Sequence, residues 1–95
     1  MLLKDKTAII YGAGGSVGGA VARAFAREGA HVFLAGRTAA KLETVVDEIR
    51  VDGGMADWMT VDALDGKAIE AHLAAIVEKA GPVKLMFNAI DWGDT

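Results

Sequence analysis

The stretch AIIYGAGGSVGGAVARAFAREGA, Ala8 to Ala30, decides how the rest of the chain is read. An apolar run ends in Tyr11, five glycines fall within the eight residues from Gly12 to Gly19, and an alanine-rich segment follows at once. Thr7 to Tyr11 is short, apolar and rich in β-formers, which predicts a buried strand. Val17 to Glu28 repeats small and apolar residues at helical spacing: Val17, Ala20, Val21, Ala24 and Phe25. Arg23, Arg27 and Glu28 lie off that stripe, so the segment reads as an amphipathic helix, ended by Gly29. A glycine cluster between two such elements marks backbone that must turn sharply or approach something closely.

The same alternation continues downstream. HVFLAG, His31 to Gly36, is a second buried strand. Thr38 is a good cap for the helix that follows, in which Leu42, Val45, Val46 and Ile49 share one face until Gly53-Gly54 stops it. ADWMTVD, Ala56 to Asp62, is a third strand. Asp65 caps a helix whose stripe is Ile69, Leu73 and Ile76, and Gly81-Pro82 ends it. VKLMFNAI, Val83 to Ile90, is a fourth strand. Strands spaced one helix apart predict a Rossmann-like α/β fold: a three-layer parallel sheet with right-handed crossovers and strand order 3-2-1-4. The first two helices should cover one face and the third the other, because the crossover direction reverses after the third strand.

Composition narrows the function classes. The chain has 95 residues, enough for one domain, and 53% of them are apolar, which excludes a disordered chain. The net charge is −3, spread without a basic run, so nucleic acid is not an expected partner. Cysteine is absent, which removes disulfides and thiolate metal sites and points to a reducing cytoplasm. The N-terminal MLLKDKT carries charge too early for a signal peptide, and no apolar stretch approaches a membrane span. His31 and His72 are far apart and poorly accompanied by carboxylates, so no metal is expected; both are read as partly solvated. Met55, Met59 and Met86 are read as core filler, and Trp58 and Trp92 as packing residues.

The glycines sit where parallel α/β sheets bind ligands, beyond the carboxyl end of a strand and before a helix. A helix N-terminus offers unpaired N–H groups and partial positive charge, which together attract phosphate. Gly12, Gly14 and Gly18 form G-x-G-x-x-x-G, one residue longer than the common dinucleotide fingerprint. An acidic residue at the end of the second strand would bond a ribose 2′-hydroxyl, as in NAD sites. Here Arg37 stands just past that strand, 25 residues after Gly12. A guanidinium pairs with a 2′-phosphate, which favours NADP over NAD. Thr38 either adds a hydroxyl to that phosphate or only caps its helix. Asp62 either accepts from an adenine amino group or is a turn residue. Asn88 ends the fourth strand, where it either ties neighbouring strand ends together beside the cofactor or only starts a loop.

With those places marked, the chain resembles the short-chain dehydrogenase/reductase family across its length. The family carries T-G-x-x-x-G-x-G after the first strand, and this chain has YGAGGSVG. Gly12 and Gly18 match the outer glycines, Ser16 replaces the middle one and Tyr11 the threonine. The family's adenine-contacting Asp matches Asp62, with Ala63 beside it. Its N-N-A-G matches at Asn88 and Ala89, and Ile90 replaces the last glycine. Arg37 falls where NADP-preferring members place a basic residue.

The resemblance implies cofactor contacts from Gly12, Gly14, Gly15, Ser16, Val17 and Gly18 to the pyrophosphate, from Arg37 to the 2′-phosphate, from Asp62 and Ala63 to adenine, and from Asn88 and Ala89 near the ribose. It implies hydride transfer between a nicotinamide and a carbonyl or alcohol in a complete protein. Catalysis in the family uses a Tyr with a Lys four residues on and a Ser upstream. The one tyrosine here is Tyr11, followed four residues later by Gly15, so no catalytic residue is expected within residues 1–95. Family members run well over twice this length. The expectation is therefore a partial NADP(H)-binding domain, truncated after the fourth strand and inactive alone, which a second copy or a complementing chain would complete. The alternatives are a non-catalytic dinucleotide-binding module and an inactive truncated product.

Overall fold

The computed structural model describes residues 2–12, 16–61 and 65–88, with the side chains of Ser16 and Asn88 also outside the description. Seven elements alternate along the chain: β1 (Thr7–Tyr11), α1 (Ser16–Arg27), β2 (His31–Gly36), α2 (Ala39–Val51), β3 (Met55–Thr60), α3 (Gly66–Ala80) and β4 (Leu85–Asn88). The four strands form one parallel sheet in the order β3-β2-β1-β4. This is the predicted Rossmann-like topology. Two strand boundaries differ from expectation. β3 starts one residue early, at Met55, and ends at Thr60. β4 starts two residues after Val83, at Leu85, where its ladder to β1 begins at Ala8.

Alternation along the strands sorts the side chains into two layers. Ala8, Ile10, Val32, Leu34 and Ala56 face α1 and α2, and pack with Ala22, Ala26, Leu42, Val46 and Ile49. Ile9, Tyr11, Phe33 and Ala35 face the other way, and pack with Val61 and with Ile69, Leu73 and Ile76 of α3. So two helices cover one face and the third covers the other, as the crossover rule requires. Each fully buried Ile, Leu or Val contributes about 1.5–3 kcal/mol of hydrophobic stabilisation, and Ile9, Ile10, Val32, Leu34, Leu42 and Val46 are all in that state.

Four expectations fail. Met55, Met59 and Met86 are 54%, 49% and 56% exposed rather than core filler. They lie on the face that α3 covers, but α3 packs over β1 and β2, the two central strands, which leaves this side of β3 and β4 open. Trp58, on the other face of β3, is likewise exposed. His72 is buried instead of solvated, because it falls on the inner stripe of α3 between Ile69 and Ile76. Thr38 makes no side-chain cap bond to α2. Asp65 does cap α3, its Oδ1 accepting from the backbone N–H of Lys67 at 3.0 Å and of Ala68 at 3.3 Å. Trp92 lies outside the described residues.

Candidate functional site

The register brings the carboxyl ends of all four strands into one row. Tyr11 pairs with Ala35 on one side and Asn88 on the other, and Gly36 pairs with Thr60. The Gly12 N–H donates to the Ala35 carbonyl at 2.8 Å, extending the ladder by one residue. Gly12 then takes φ = +74°, a left-handed conformation that a side chain would strain. This turn starts the glycine stretch that ends at α1.

α1 begins at Ser16 and points its N-terminus back toward the strand ends. Its first-turn N–H groups lack intrahelical partners, and its first turn holds no acidic residue to compete for them. Gly18 and Gly19 are buried, and Val17 is exposed.

Arg37 follows Gly36 directly and is exposed, with no hydrogen bond or ion pair to another side chain among the described residues. Val61 N–H donates to the Gly36 carbonyl at 2.8 Å, so the segment leaving β3 starts beside Arg37. The backbone of Asn88 lies next to Tyr11, on the far side of the glycine turn. Thus Gly12, the α1 N-terminus, Arg37 and Asn88 share one edge. Gly14, Gly15, Asp62, Ala63 and Ala89 lie outside the described residues, as does Ile90.

The features at this edge are of the kind that attract phosphate. The edge joins a left-handed glycine turn to a helix N-terminus free of acid, and it presents the Arg37 guanidinium with no carboxylate at the end of β2. Among the described residues, no group of three or more His, Asp or Glu is placed to hold a metal ion. None of the described helices is long and apolar enough to cross a membrane.

Two polar clusters escaped the sequence reading. At the amino ends of β2 and β3, His31 Nε2 lies 2.9 Å from Asp57 Oδ2, and Arg50 donates to Asp57 Oδ1 at 3.1 Å. Burial acts to raise the Asp57 carboxyl, but the His31 hydrogen bond and the charges of Lys79, His31 and Arg50 outweigh it and hold it below its ordinary value. This cluster is at the opposite end of the sheet from the glycine turn. The second cluster is the buried pair Tyr11 and His72. Its signal was available in the spacing, since His72 shares the Ile69, Leu73, Ile76 stripe. A shallow groove of about 710 Å³ between the C-terminal halves of α1 and α2 is lined by Arg23, Glu48 and Asp52 among others. Its Arg23 and Glu48 are already paired at 2.9 Å, and it takes no part in the strand-end site.

The profile of the short chain dehydrogenase family matches residues 6–90. An uncharacterized oxidoreductase of Bacillus subtilis, YxbG, is 36% identical over 86 residues, covering 90% of this chain and 32% of that protein. Among solved structures, an actinorhodin polyketide ketoreductase variant crystallised with NADPH superposes with a TM-score of 0.82 at 37% identity, covering 87% of this chain and 32% of that one. A metagenomic short-chain oxidoreductase in complex with NADP superposes with a TM-score of 0.87 at 30% identity, covering 90% and 39%. The chain therefore spans about a third of the length of the relatives it matches.

Proposed function

Because this chain belongs to the short chain dehydrogenase family, whose members bind a nicotinamide dinucleotide, we propose that it is the NADP(H)-binding portion of an oxidoreductase. The observation that carries the preference for NADP is the exposed Arg37 at the end of β2, where an NAD site would place a carboxylate. In this reading the backbone from Gly12 through Gly14, Gly15, Ser16 and Val17 to Gly18 wraps the pyrophosphate, which the α1 N-terminus attracts. Arg37 pairs with the 2′-phosphate, and an aspartate there would repel it. Asp62 and Ala63 border the adenine, and Asn88 and Ala89 border the ribose. The small Ser16 is compatible with this path. When bound, the dinucleotide supplies a hydride donor or acceptor for a carbonyl or alcohol in the complete protein. All of these residues bind and orient; the proton-handling groups of the reaction are not among them. NADP-bound and NADPH-bound structures of relatives lend support to the choice of cofactor.

The test is a pair of binding titrations, NADPH and NADH, on the chain and on Arg37→Ser. Hydrogen bonds to charged groups contribute about 1.5–3 kcal/mol each, so loss of Arg37 weakens NADPH by roughly 10- to 150-fold and leaves NADH nearly unchanged. Equal affinity of the unaltered chain for the two cofactors refutes the 2′-phosphate role. Failure to bind either refutes the dinucleotide reading as a whole.

A further inference from the structure

The end of β1 carries a second feature on the α3 side of the sheet. Tyr11 is 3% exposed and His72 is 4% exposed. Their rings meet edge-on, with centroids 6.0 Å apart and planes at 67°. The Tyr11 Oη and the His72 Nδ1 are both buried without a hydrogen-bond partner among the described residues. A buried polar atom left unpaired destabilises a fold. Phenylalanine and leucine would fill the same layer without that penalty, so packing alone does not account for this pair.

What the pair touches gives it a role. Tyr11 is the residue immediately before Gly12, whose left-handed φ launches the glycine turn. Whatever fixes Tyr11 fixes the direction in which that turn leaves the sheet. α3 is itself anchored, by its Asp65 cap at one end and by Ile76 in the core. We infer that His72 is a positioning residue for the glycine turn: its neutral imidazole, lodged against Tyr11, holds the end of β1 in the geometry that accepts a dinucleotide, and its protonation weakens that binding. This rests on the dinucleotide reading proposed above.

The surroundings fix the sign. The elements packed on this layer present Ile9 from β1, Phe33 and Ala35 from β2, Val61 beyond β3 and Val83 before β4. On the same face His31 stacks on Phe33 and pairs with Asp57, toward the amino ends of β2 and β3. Tyr11 is the titratable side chain whose ring meets His72, and burial raises its pKa, so it stays neutral. The charged residues of α3, Lys67, Glu70, Glu78 and Lys79, are exposed. Burial, with no charged neighbour contributing, pushes the His72 imidazole below its ordinary value of 6.5. Asp57 is the carboxylate on this face of β3, and it contributes nothing to the His72 shift, so a proton added to this ring gains no compensating anion there. At the buried Nδ1 that proton is solvated only if α3 parts from the end of β1, which releases Tyr11 and Gly12 behind it. By reciprocity, a ligand that needs the turn in place must make His72 harder to protonate.

The experiment is a proton NMR titration of the histidine rings in the full chain, with and without saturating NADPH, read beside NADPH affinity at about pH 7.5 and about pH 5.5. His31 serves as the internal reference, at the other end of the sheet. The expected result is a His72 midpoint that moves down when NADPH binds while that of His31 does not. NADPH affinity should also fall roughly fivefold more on acidification in the unaltered chain than in His72→Gln. The variant comparison removes the titration of the 2′-phosphate itself. If His72→Gln does not fold, His72→Leu takes its place. Binding with an unmoved His72 midpoint, or identical acid profiles in chain and variant, overturns this inference alone. No binding at about pH 7.5 overturns the dinucleotide reading, and this inference with it.

Discussion

Gly54 offers the sharpest test of the packing between the helical layer and the sheet. It lies between α2 and β3, and its N–H donates to the Ile49 carbonyl at 2.9 Å. A β-carbon added there would meet Cγ2 of Ile49 at 2.8 Å, the Ile49 carbonyl oxygen at 3.2 Å and Cβ of Ala26 at 3.4 Å. Ile49 is buried in the core, and its Cγ2 branches directly from Cβ, so it cannot swing aside as a flexible chain end would. Relief requires an off-rotamer Ile49 or a shift of α2, which costs about 1–3 kcal/mol. Alanine also restricts the unfolded chain, which returns about 0.4–1 kcal/mol. The net for Gly54→Ala is a loss centred on about 1.3 kcal/mol, or roughly 5–10 °C in Tm at this size. Gly66→Ala is the control. It opens α3, a β-carbon there meets nothing within 4 Å, and it should gain up to about 1 kcal/mol. Urea denaturation with an unchanged m-value reads both. A Gly54→Ala protein as stable as the original refutes the close approach at Ile49.

Two further outcomes concern the ends of the sheet. Asp65→Ala removes the acceptor for the Lys67 and Ala68 N–H groups and should lower stability by about 1 kcal/mol in the same denaturation assay, with Asp65→Asn restoring most of it. Asp57 is held below the ordinary carboxylate value of 3.8, so its charged form is favoured in the fold. Its contribution is complete above that value and is lost as pH falls through the lower, folded one. Urea midpoints measured from about pH 7 down to about pH 3 should therefore converge between the original protein and Asp57→Asn. A gap that stays constant with pH counts against the ion cluster.

The strands and helices were readable because each is written in short-range terms. Thr7–Tyr11 and His31–Gly36 are compact apolar runs, and Asp65 announces α3 with a residue whose side chain has one good use there. The turn into α1 was readable for the same reason: Gly12 must turn, and a helix must start just after it. The strand order followed from the handedness of the crossovers, and so did the face on which α3 lies.

How far α3 reaches across that face is another matter. Nothing in the spacing of Met55, Met59 and Met86 distinguishes a methionine under a helix from one beside it. The helix settles over the two central strands, where Ile9 and Phe33 offer it the most apolar surface, and the methionines of β3 and β4 are left outside. The meeting of Tyr11 and His72, and of His31, Asp57 and Arg50, has the same character. These residues are 61, 26 and 7 positions apart, and only register between strands and the seating of a helix brings them within reach. Local pattern suffices for which segments form elements and in what order they join, because hydrogen bonding and hydrophobic periodicity act within a few residues. Which polar groups are trapped together, and which apolar ones are stranded, depends on how layers of finite width overlap, and no window of sequence contains that.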